Sequence, residues 1–413
     1  MYTSISKRTL ALLSTLVLLA LSLMAPVFLP WLTLPLILLI LLILVSWLLP
    51  LLVESRTNRV RPEPALPASR EAHQIHSQLF IADLHADPLM WNRDLLRRHS
   101  YGHIDLPRLV EGNVALQVFG VVTQSPPGQN FEKNASNKDQ ITPLVICQGW
   151  PLPTWNSRLQ RAVYQAARLE GFVARAEGKL VSVRSVQDLE TLQARRAKNE
   201  KIVGGFLGLE GVHALDGRVE NLELLFASGF RMIGLTHFFD NEAGGSAHGI
   251  EKSGLTPFGK QVVRRVQELH MVLDLAHASP QVIDDALEIT AAPVVVSHTG
   301  VRGTCDNRRN LSDDQARRIA ATGGVMGIAL FDTAVCGPRV EDTAHAIRYL
   351  ADLVGVEHAA LGSDFDGSVM APIDASGWPS LTEALLKEGF NAGEIAGIMG
   401  LNALRVFMQV FPR

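Results

Sequence analysis

Short apolar runs alternate with amphipathic helical patterns from about residue 72 to the C-terminus. The apolar runs predict eight strands, at Leu79–His85, Val114–Val122, Ile202–Glu210, Arg231–His237, Val272–His277, Val294–His298, Gly324–Leu330 and Ala359–Asp364. The amphipathic patterns between them predict helices at Glu220–Ser228, Gly259–His270, Pro280–Ile289, Asp313–Thr322 and Glu341–Val354. Strands that alternate with helices favour parallel pairing through crossover connections.

Eight such units are typical of a (β/α)8 TIM-like barrel in the α/β class. A doubly wound open sheet produces the same local pattern and is the structural alternative. The segment from about 123 to 195 is longer than a barrel loop needs. It predicts an insertion after the second strand, consisting of a loop at Gln124–Trp155 and one or two helices. The globular domain is therefore predicted over residues 72–413.

The N-terminal part of the chain has a different pattern, because residues 9–53 form 45 consecutive uncharged positions. One helix needs about 20 residues to cross a bilayer, so the stretch is long enough for two crossings. Pro26, Pro30 and Pro35 lie near its middle, where a turn between two helices would fall. We therefore predict a membrane anchor over residues 1–53 in the form of a helical hairpin. A Pro-rich linker follows at 54–71.

The charges that flank the apolar stretch predict its orientation. Lys7 and Arg8 precede it, and Arg56, Arg59 and Arg61 follow it. Basic residues on both sides favour a hairpin with both ends in the cytoplasm. This places the catalytic domain at the cytoplasmic face of a bacterial-type inner membrane. The alternatives are a single long anchor with the domain on the opposite side and, less favoured by the length of the run, a cleaved signal peptide.

Composition excludes some partners and leaves the compartment open. The formal net charge of −3 and the lack of a basic stripe give no indication of nucleic-acid binding. The chain has three cysteines, Cys147, Cys305 and Cys336, which are far apart and form no CxxC motif. A disulfide framework is therefore not expected. Cys305 lies near several arginines, but an incidental or structural thiol is the favoured interpretation.

Histidines and carboxylates stand at the ends of six predicted strands. They are His85 and Asp87, Glu210, His237, His277, His298 and Asp364. In a parallel barrel the carboxyl ends of all strands meet at one rim, where catalytic groups belong. A single histidine at a strand end is usually a hydrogen-bonded structural residue, but burying this many ionisable groups together without a metal would be costly. Imidazole and carboxylate ligands suit zinc, with manganese or cobalt as alternatives.

The order of these motifs resembles the membrane dipeptidases, the zinc peptidase family M19. The motifs are HxD at His85, GxEG at Glu210, THxxxN at His237, LDxxHxS at His277, SHxxxxxxxxxRRN from His298 and GxDFDG at Asp364. Each motif alone is weak, and six in this order are specific. The resemblance covers the whole predicted barrel, and it implies a barrel of the metal-dependent hydrolase type.

The resemblance implies a role for each motif residue. His85 and Asp87 would bind one zinc ion, His277 and His298 the other, and Glu210 would bridge the two. His237 would orient or polarise the scissile carbonyl, and Arg309 would bind the C-terminal carboxylate of the substrate. Asp364 would act as the acid and base that carries a proton from the attacking water to the leaving amine. A homodimer is compatible with the resemblance.

The implied function is zinc-dependent hydrolysis of dipeptides by a metal-activated water, with D-residues accepted at the C-terminal position. The alternative is a binuclear-metal amidohydrolase that acts on another small amide or ester, such as an N-acyl amino acid, because a fold does not fix a function. A binding protein that kept the fold and lost catalysis is a third reading. Leu84 and Ala86 depart from the family's usual first motif, and together with the 124–155 insertion they leave substrate fit open.

Overall fold

Eight parallel strands close into a barrel in the computed structural model, which describes residues 30–63 and 65–413. The strands in chain order are β1 (Arg59–Val60), β2 (Ile81–Ala86), β3 (Val114–Val122), β4 (Leu180–Ser182), β5 (Val203–Glu210), β6 (Phe230–Gly234), β7 (Val272–Asp274), β8 (Val295–Thr299), β9 (Val325–Ile328), β10 (Ala359–Leu361) and β11 (Met370–Ala371). The barrel contains β2, β3 and β5 to β10, and pairing between β3 and β5 closes it. All eight predicted strands are confirmed. The closing pair excludes the open-sheet alternative.

The helices lie between the strands, as the alternation of patterns predicted. In chain order they are α1 (Pro30–Thr57), α2 (Arg70–His76), α3 (Leu106–Glu111), α4 (Ile141–Cys147), α5 (Pro153–Asn156), α6 (Arg158–Arg175), α7 (Val186–Ala197), α8 (Asn221–Ala227), α9 (Pro257–Glu268), α10 (Pro280–Ile289), α11 (Asp313–Ala321), α12 (Asp332–Val335), α13 (Val340–Val354), α14 (Trp378–Lys387), α15 (Ala392–Ala396) and α16 (Asn402–Val410). The five predicted helices correspond to α8, α9, α10, α11 and α13. Local chemistry sets their starts: α9 begins with Pro257 after a Thr256 cap, and α10 begins with Pro280 after a Ser279 cap.

Apolar side chains fill one end of the barrel lumen. Leu84, Phe206 and Met232 are buried there together with residues of α16. The ring of Phe206 meets Phe407 of α16 edge-on, with centroids 5.0 Å apart. The same cluster contains Val272, Val295 and Val325, the first residues of β7, β8 and β9, so α16 closes the amino-terminal end of the barrel. The carboxyl ends of the strands are left to build a site.

The insertion after β3 contains α4, α5 and α6, and α7 follows it. The sequence patterns did not reveal β4. This three-residue strand pairs with Val203–Gly205 at the start of β5, whereas β6 begins its pairing only at Leu207. A short stretch of β5 would otherwise be an unpaired edge, and β4 satisfies its backbone groups.

The N-terminal helix α1 runs from Pro30 to Thr57, and its segment Leu34–Thr57 is long and apolar enough to cross a membrane, with a mean hydropathy of 3.1. Pro35 lies inside this helix. The first limb of the predicted hairpin lies outside the described residues. The segment predicted as a linker is tied to the barrel, because β1 pairs with β11 and the side chains of Glu54 and Asn58 are buried.

One expectation about the cysteines was wrong, because Cys305 and Cys336 form a disulfide. Their Cα atoms are 5.2 Å apart although 31 residues separate them in sequence. The bond joins the loop after β8 to the residue that follows α12. Spacing along the chain could not reveal this contact, because it arises from the adjacency of β8 and β9 in the barrel. Cys147 is a free thiol.

Candidate metal centre

The carboxylate of Glu210 lies at the centre of a cluster of histidines at the carboxyl ends of the strands. Its Oε1 atom is 2.9 Å from Nε2 of His277, 3.6 Å from Nε2 of His298 and 3.7 Å from Nε2 of His85. Its other oxygen, Oε2, is 3.3 Å from Nε2 of His237. All five residues are buried. Four predicted histidines, from four strands or the loops that follow them, therefore meet around the carboxylate of Glu210.

Two further carboxylates complete one side of the cluster. Oδ1 of Asp87 lies 3.5 Å from Nε2 of His85, and Oδ1 of Asp364 lies 4.0 Å from the same atom. Both belong to segments that leave the barrel immediately after a strand. With Asp87 and Asp364, the structure brings together the whole set of residues predicted as metal ligands and proton carrier.

Three of these residues lie just beyond the strands to which they were assigned. β6, β7 and β10 end at Gly234, Asp274 and Leu361, before His237, His277 and Asp364. His277 and Asp364 have positive φ angles of 61° and 60°. A left-handed backbone at a residue other than glycine costs free energy and is maintained where the surroundings demand it. Here it turns the side chain into the mouth of the barrel.

A buried aspartate connects the strand of His85 to that of Asp364. Oδ2 of Asp83 accepts a hydrogen bond from the Ser363 hydroxyl at 2.6 Å, and its Oδ1 accepts one from the Ser363 backbone N–H at 2.8 Å. Gln117 donates to Oδ2 at 3.0 Å. Because Asp83 and Ser363 precede His85 and Asp364 by two residues and one residue, this contact fixes the relative position of two site residues.

A second aspartate and serine connect the strands of His277 and His298 in the same way. The Ser297 hydroxyl donates to Oδ2 of Asp274 at 2.6 Å, and the Ser297 N–H donates to Oδ1 at 2.9 Å. The same hydroxyl lies 3.0 Å from Nδ1 of His298. Since its proton goes to Asp274, it accepts from Nδ1–H, which leaves the lone pair of the His298 ring on Nε2, toward the cluster.

Electrostatics shows that the cluster lacks positive charge. Burial raises the pKa of Glu210 well above its usual value and raises that of Asp364 to about 8. Burial likewise lowers the pKa values of His277 and His298 well below that of a free imidazole. Among these histidines, His85 alone has a raised pKa, because the charges of Asp87 and Glu210 outweigh the effect of its burial. Cations placed among these groups would stabilise the carboxylates and use the neutral imidazoles as ligands.

The donor atoms fit divalent metal ions. Oxygen and nitrogen atoms within 4.8 Å of one another form three groups, each with at least one histidine and one carboxylate: His85, Glu210 and His298; Glu210, His237 and His277; His85, Asp87 and Asp364. Several buried atoms of the cluster have no hydrogen-bond partner among the described residues, including both ring nitrogens of His85 and Oδ1 of Asp87. Buried polar atoms without partners are costly unless something absent from the protein chain binds them.

Arg309 lies beside the cluster, in the loop that follows β8. It is buried, one terminal nitrogen donates to the carbonyl of His298, and Nε has no partner among the described residues. Burial lowers the pKa of Arg309 to about 10, and the carboxylates of Asp364 and Glu210 oppose this shift. The guanidinium stays charged at neutral pH. It presents an unused donor in the cavity that contains the cluster.

One buried histidine near the cluster was missed by the sequence analysis. The ring of His248 stacks on Phe238 with centroids 4.5 Å apart and lies 5.2 Å from the ring of His277. Its Nδ1 is 2.8 Å from the carbonyl of Phe131, in the insertion. His248 lies in the segment Gly244–Gly249, outside the six motifs found at the strand ends. No pattern of metal ligands indicated that it would return to the rim.

A cavity of about 510 Å³ opens above the cluster. Its floor includes Glu210, His277 and Arg309. Its walls include residues of the insertion, among them Phe131, Ile141 and Leu144, and residues of α1. The insertion therefore shapes the cavity. Leu84 and Ala86, the two residues that depart from the family's usual first motif, do not line it, because they are buried in hydrophobic clusters on the two faces of β2. The volume of this cavity falls within the range of about 300–1,000 Å³ that is usual for small-molecule sites.

Comparison with known proteins identifies relatives of the chain. Residues 69–411 match the model of the membrane dipeptidase family, peptidase family M19. Dipeptidase 3 of Mus musculus is 30% identical over 326 residues, which are 75% of this chain and 64% of that protein. The chain therefore spans about two thirds of the length of this relative. Dipeptidase aclJ of Aspergillus oryzae is 27% identical over 387 residues, 86% of this chain and 85% of the relative.

Solved structures share the fold. The probable dipeptidase PvdM from Pseudomonas aeruginosa superposes with a TM-score of 0.68 at 19% identity, over 83% of this chain and 98% of that protein. A metallopeptidase from Rhodobacter sphaeroides, bound to a phosphinate mimic of the dipeptide L-Ala-D-Ala, superposes with a TM-score of 0.65 at 22% identity, over 81% and 99%. The family model covers the barrel and all of the clustered site residues, and this chain belongs to the membrane dipeptidase family, peptidase family M19.

Proposed function

We propose that the protein hydrolyses dipeptides with two zinc ions held around Glu210. The observation that carries the proposal is the position of this buried carboxylate, one oxygen of which lies within 3.7 Å of Nε2 of three histidines. His85 and Asp87 would hold one ion, and His277 and His298 the other, with Glu210 between them. Zinc accepts this mixture of imidazole and carboxylate ligands.

When bound, two such ions activate a water molecule as a nucleophile and polarise the carbonyl that it attacks. The chain itself supplies the proton transfer. Oδ1 of Asp364 lies at the edge of the cluster, 4.0 Å from Nε2 of His85, and its side chain lines the cavity. It accepts the proton of the attacking water and gives it to the nitrogen of the leaving amine, as a general base and then a general acid.

Arg309 binds the C-terminal carboxylate of the substrate. Its guanidinium is buried, charged and only partly hydrogen-bonded, and a carboxylate would satisfy its unused donor. The relative from Rhodobacter sphaeroides was solved with a mimic of L-Ala-D-Ala. This supports the acceptance of a D-residue at the C-terminal position here as well.

His237 orients the substrate. The Nδ1 atom of its ring lies 3.2 Å from the carbonyl oxygen of Gln124, which can only accept, so Nδ1 carries the proton. Nε2 of the neutral ring is then an acceptor, and nearby cations would oppose its protonation. An acceptor suits a substrate N–H, so the orienting role is favoured over polarisation of the carbonyl oxygen.

A second candidate is hydrolysis of another small amide, such as an N-acyl amino acid. The apolar residues on the cavity walls favour it, because an acyl chain could pack where Phe131, Ile141 and Leu144 lie. It differs from a dipeptide in lacking a free amino terminus. Comparison of a dipeptide with its N-acetylated form separates the two functions.

We further propose that α1 anchors the protein in a membrane, because most of its large apolar side chains from Leu34 to Leu52 are exposed. The sequence favoured a cytoplasmic catalytic domain. The Cys305–Cys336 disulfide supports the opposite side and a single crossing, since disulfides persist in oxidising compartments. Protease treatment of sealed vesicles of known orientation tests the side. A homodimer remains compatible with the family resemblance.

The proposed activity is tested on the full chain, purified in lipid nanodiscs and loaded with zinc. We expect hydrolysis of L-Ala-L-Ala and of L-Ala-D-Ala, loss of both activities in a chelator, and recovery when zinc is restored. The N-acetylated dipeptide serves as the control for the second candidate. Binding of about two metals per chain without cleavage of either dipeptide would contradict the proposed reaction but not the metal centre.

Two substitutions separate proton transfer from substrate binding. Asp364→Asn removes the proton carrier and is expected to lower kcat by about 10²–10⁴-fold while zinc stays bound. Arg309→Ala is expected mainly to raise KM, by roughly 10- to 100-fold, since it removes a charged hydrogen bond. Steady-state kinetics and metal content provide the measurements. Arg308→Ala is the matched control for Arg309→Ala, because the side chain of Arg308 is 63% exposed. Loss of zinc in Asp364→Asn would instead reassign Asp364 as a metal ligand.

The absence of a side chain at Gly120 leaves space for the side chains of two proposed ligands. Its substitution therefore tests the metal centre without replacing a ligand residue. A Cβ at this position of β3 would lie 2.2 Å from Oδ1 of Asp87 and 2.8 Å from Nε2 of His85. We expect Gly120→Ala to displace both side chains and to lower zinc content and activity together. The control is Gly171→Ala in α6, where nothing lies within 4 Å. Full zinc content in Gly120→Ala would remove His85 and Asp87 from the ligand set.

A further inference from the structure

The helix that we propose as the membrane anchor also forms a wall of the catalytic cavity. Leu49, Val53 and Thr57 line the same cavity as Glu210 and Arg309. The three positions are four residues apart, so they share one face of α1. A helix that served only as a membrane tether would not need to contact the active-site cavity.

Contacts at the end of α1 hold this wall in place. Glu54 is buried and pairs with Arg93, which also pairs with Asp366, two residues beyond the proposed proton carrier. Oδ1 of Asn58 accepts a hydrogen bond from the N–H of Ser368 at 2.8 Å. Pairing of β1 with β11 follows directly. The last turn of α1 is therefore attached to the loop that carries Asp364.

The two apolar residues of the wall are not fully used in packing within the protein. Val53 is half-buried against the cluster that contains Met90, Trp91 and Ile141. Leu49 remains 44% exposed although it lines the cavity. Both therefore retain apolar surface, whose burial by a ligand would be favourable.

The position of these residues along α1 places the cavity at the membrane surface. From Leu34 to Val53 the helix rises about 28 Å, close to the thickness of the hydrocarbon core of about 30 Å. Arg56 and Arg59 follow within six residues, and arginines near the end of a membrane helix extend to the interface. Val53, at the end of this stretch, then lies at the interface, and Leu49 lies one helical turn deeper.

We propose that Leu49 and Val53 of α1 are specificity-determining residues that bind a bulky apolar side chain of a dipeptide. The substrate class is thus dipeptides with a bulky apolar side chain, rather than small polar ones. This inference rests on the dipeptidase activity proposed above. It adds that residues outside the barrel select the substrate.

The test compares kcat/KM for L-Leu-L-Ala, L-Ala-L-Leu and L-Ala-L-Ala, using the full chain in lipid nanodiscs. We expect the wild-type protein to favour at least one leucine-containing dipeptide. The measured quantity is kcat/KM for the favoured leucine-containing dipeptide divided by kcat/KM for L-Ala-L-Ala. In the double variant Leu49→Ala/Val53→Ala we expect this ratio to fall by on the order of tenfold, because apolar contacts in a pocket are removed. Leu48→Ala/Leu52→Ala is the matched control, because both residues are 49% exposed and lie off the cavity wall.

The outcomes separate the inference from the proposed function. The inference is supported if the ratio falls in Leu49→Ala/Val53→Ala and not in Leu48→Ala/Leu52→Ala. It is overturned if the two double variants have the same ratio. If the double variant does not fold, Leu49→Gln decides, since it keeps the size of an exposed side chain and removes its apolar character. Failure of the wild-type protein to cleave any of the three dipeptides would instead reject the dipeptidase activity itself.

Discussion

The burial of the Glu210 carboxylate among imidazoles is the constraint on which the rest of the site depends. A buried carboxylate without enough positive charge is costly, and its pKa is raised well above the usual value. Neighbouring Asp87 and Asp364 increase that cost, and the histidines around them are mostly neutral. Divalent cations resolve the conflict, because they stabilise the carboxylates and bind neutral imidazole nitrogens. The electrostatics of the cluster therefore favours bound cations, as does membership of a metallopeptidase family.

The barrel makes this burial feasible because its strands deliver the ligands and then hold them. Two equivalent contacts, Asp83 with Ser363 and Asp274 with Ser297, each join adjacent strands just before a site residue. These aspartates orient the neighbouring site residues, as the hydrogen-bonding partners of metal ligands do. At the opposite end of the barrel, apolar side chains that pack against α16 fill the lumen, so the apolar core is separated from the polar site. The insertion and α1 then enclose the cavity from above.

The sequence predicted what depends on local patterning and on strand ends. Buried strands are apolar on both faces, so all eight were recognisable, and the histidines and carboxylates of the site followed from their carboxyl ends. Arg309 was assigned only through the family resemblance. Contacts between distant segments left no local signal: Ser363 and Asp83 are 280 residues apart, and Cys305 and Cys336 meet only because β8 and β9 are adjacent. Glu54 likewise reads as the polar end of a membrane helix, whereas it is a buried partner of Arg93. The role of α1 in the cavity could not be predicted for the same reason.

Anomalous diffraction at the zinc edge, on crystals of the zinc-loaded full chain, tests the central claim most directly, because it locates the metal relative to Glu210. The account predicts two peaks on either side of this carboxylate, one beside His85 and Asp87 and the other beside His277 and His298. A single peak, or metal bound by other residues with Glu210 unligated, would contradict it.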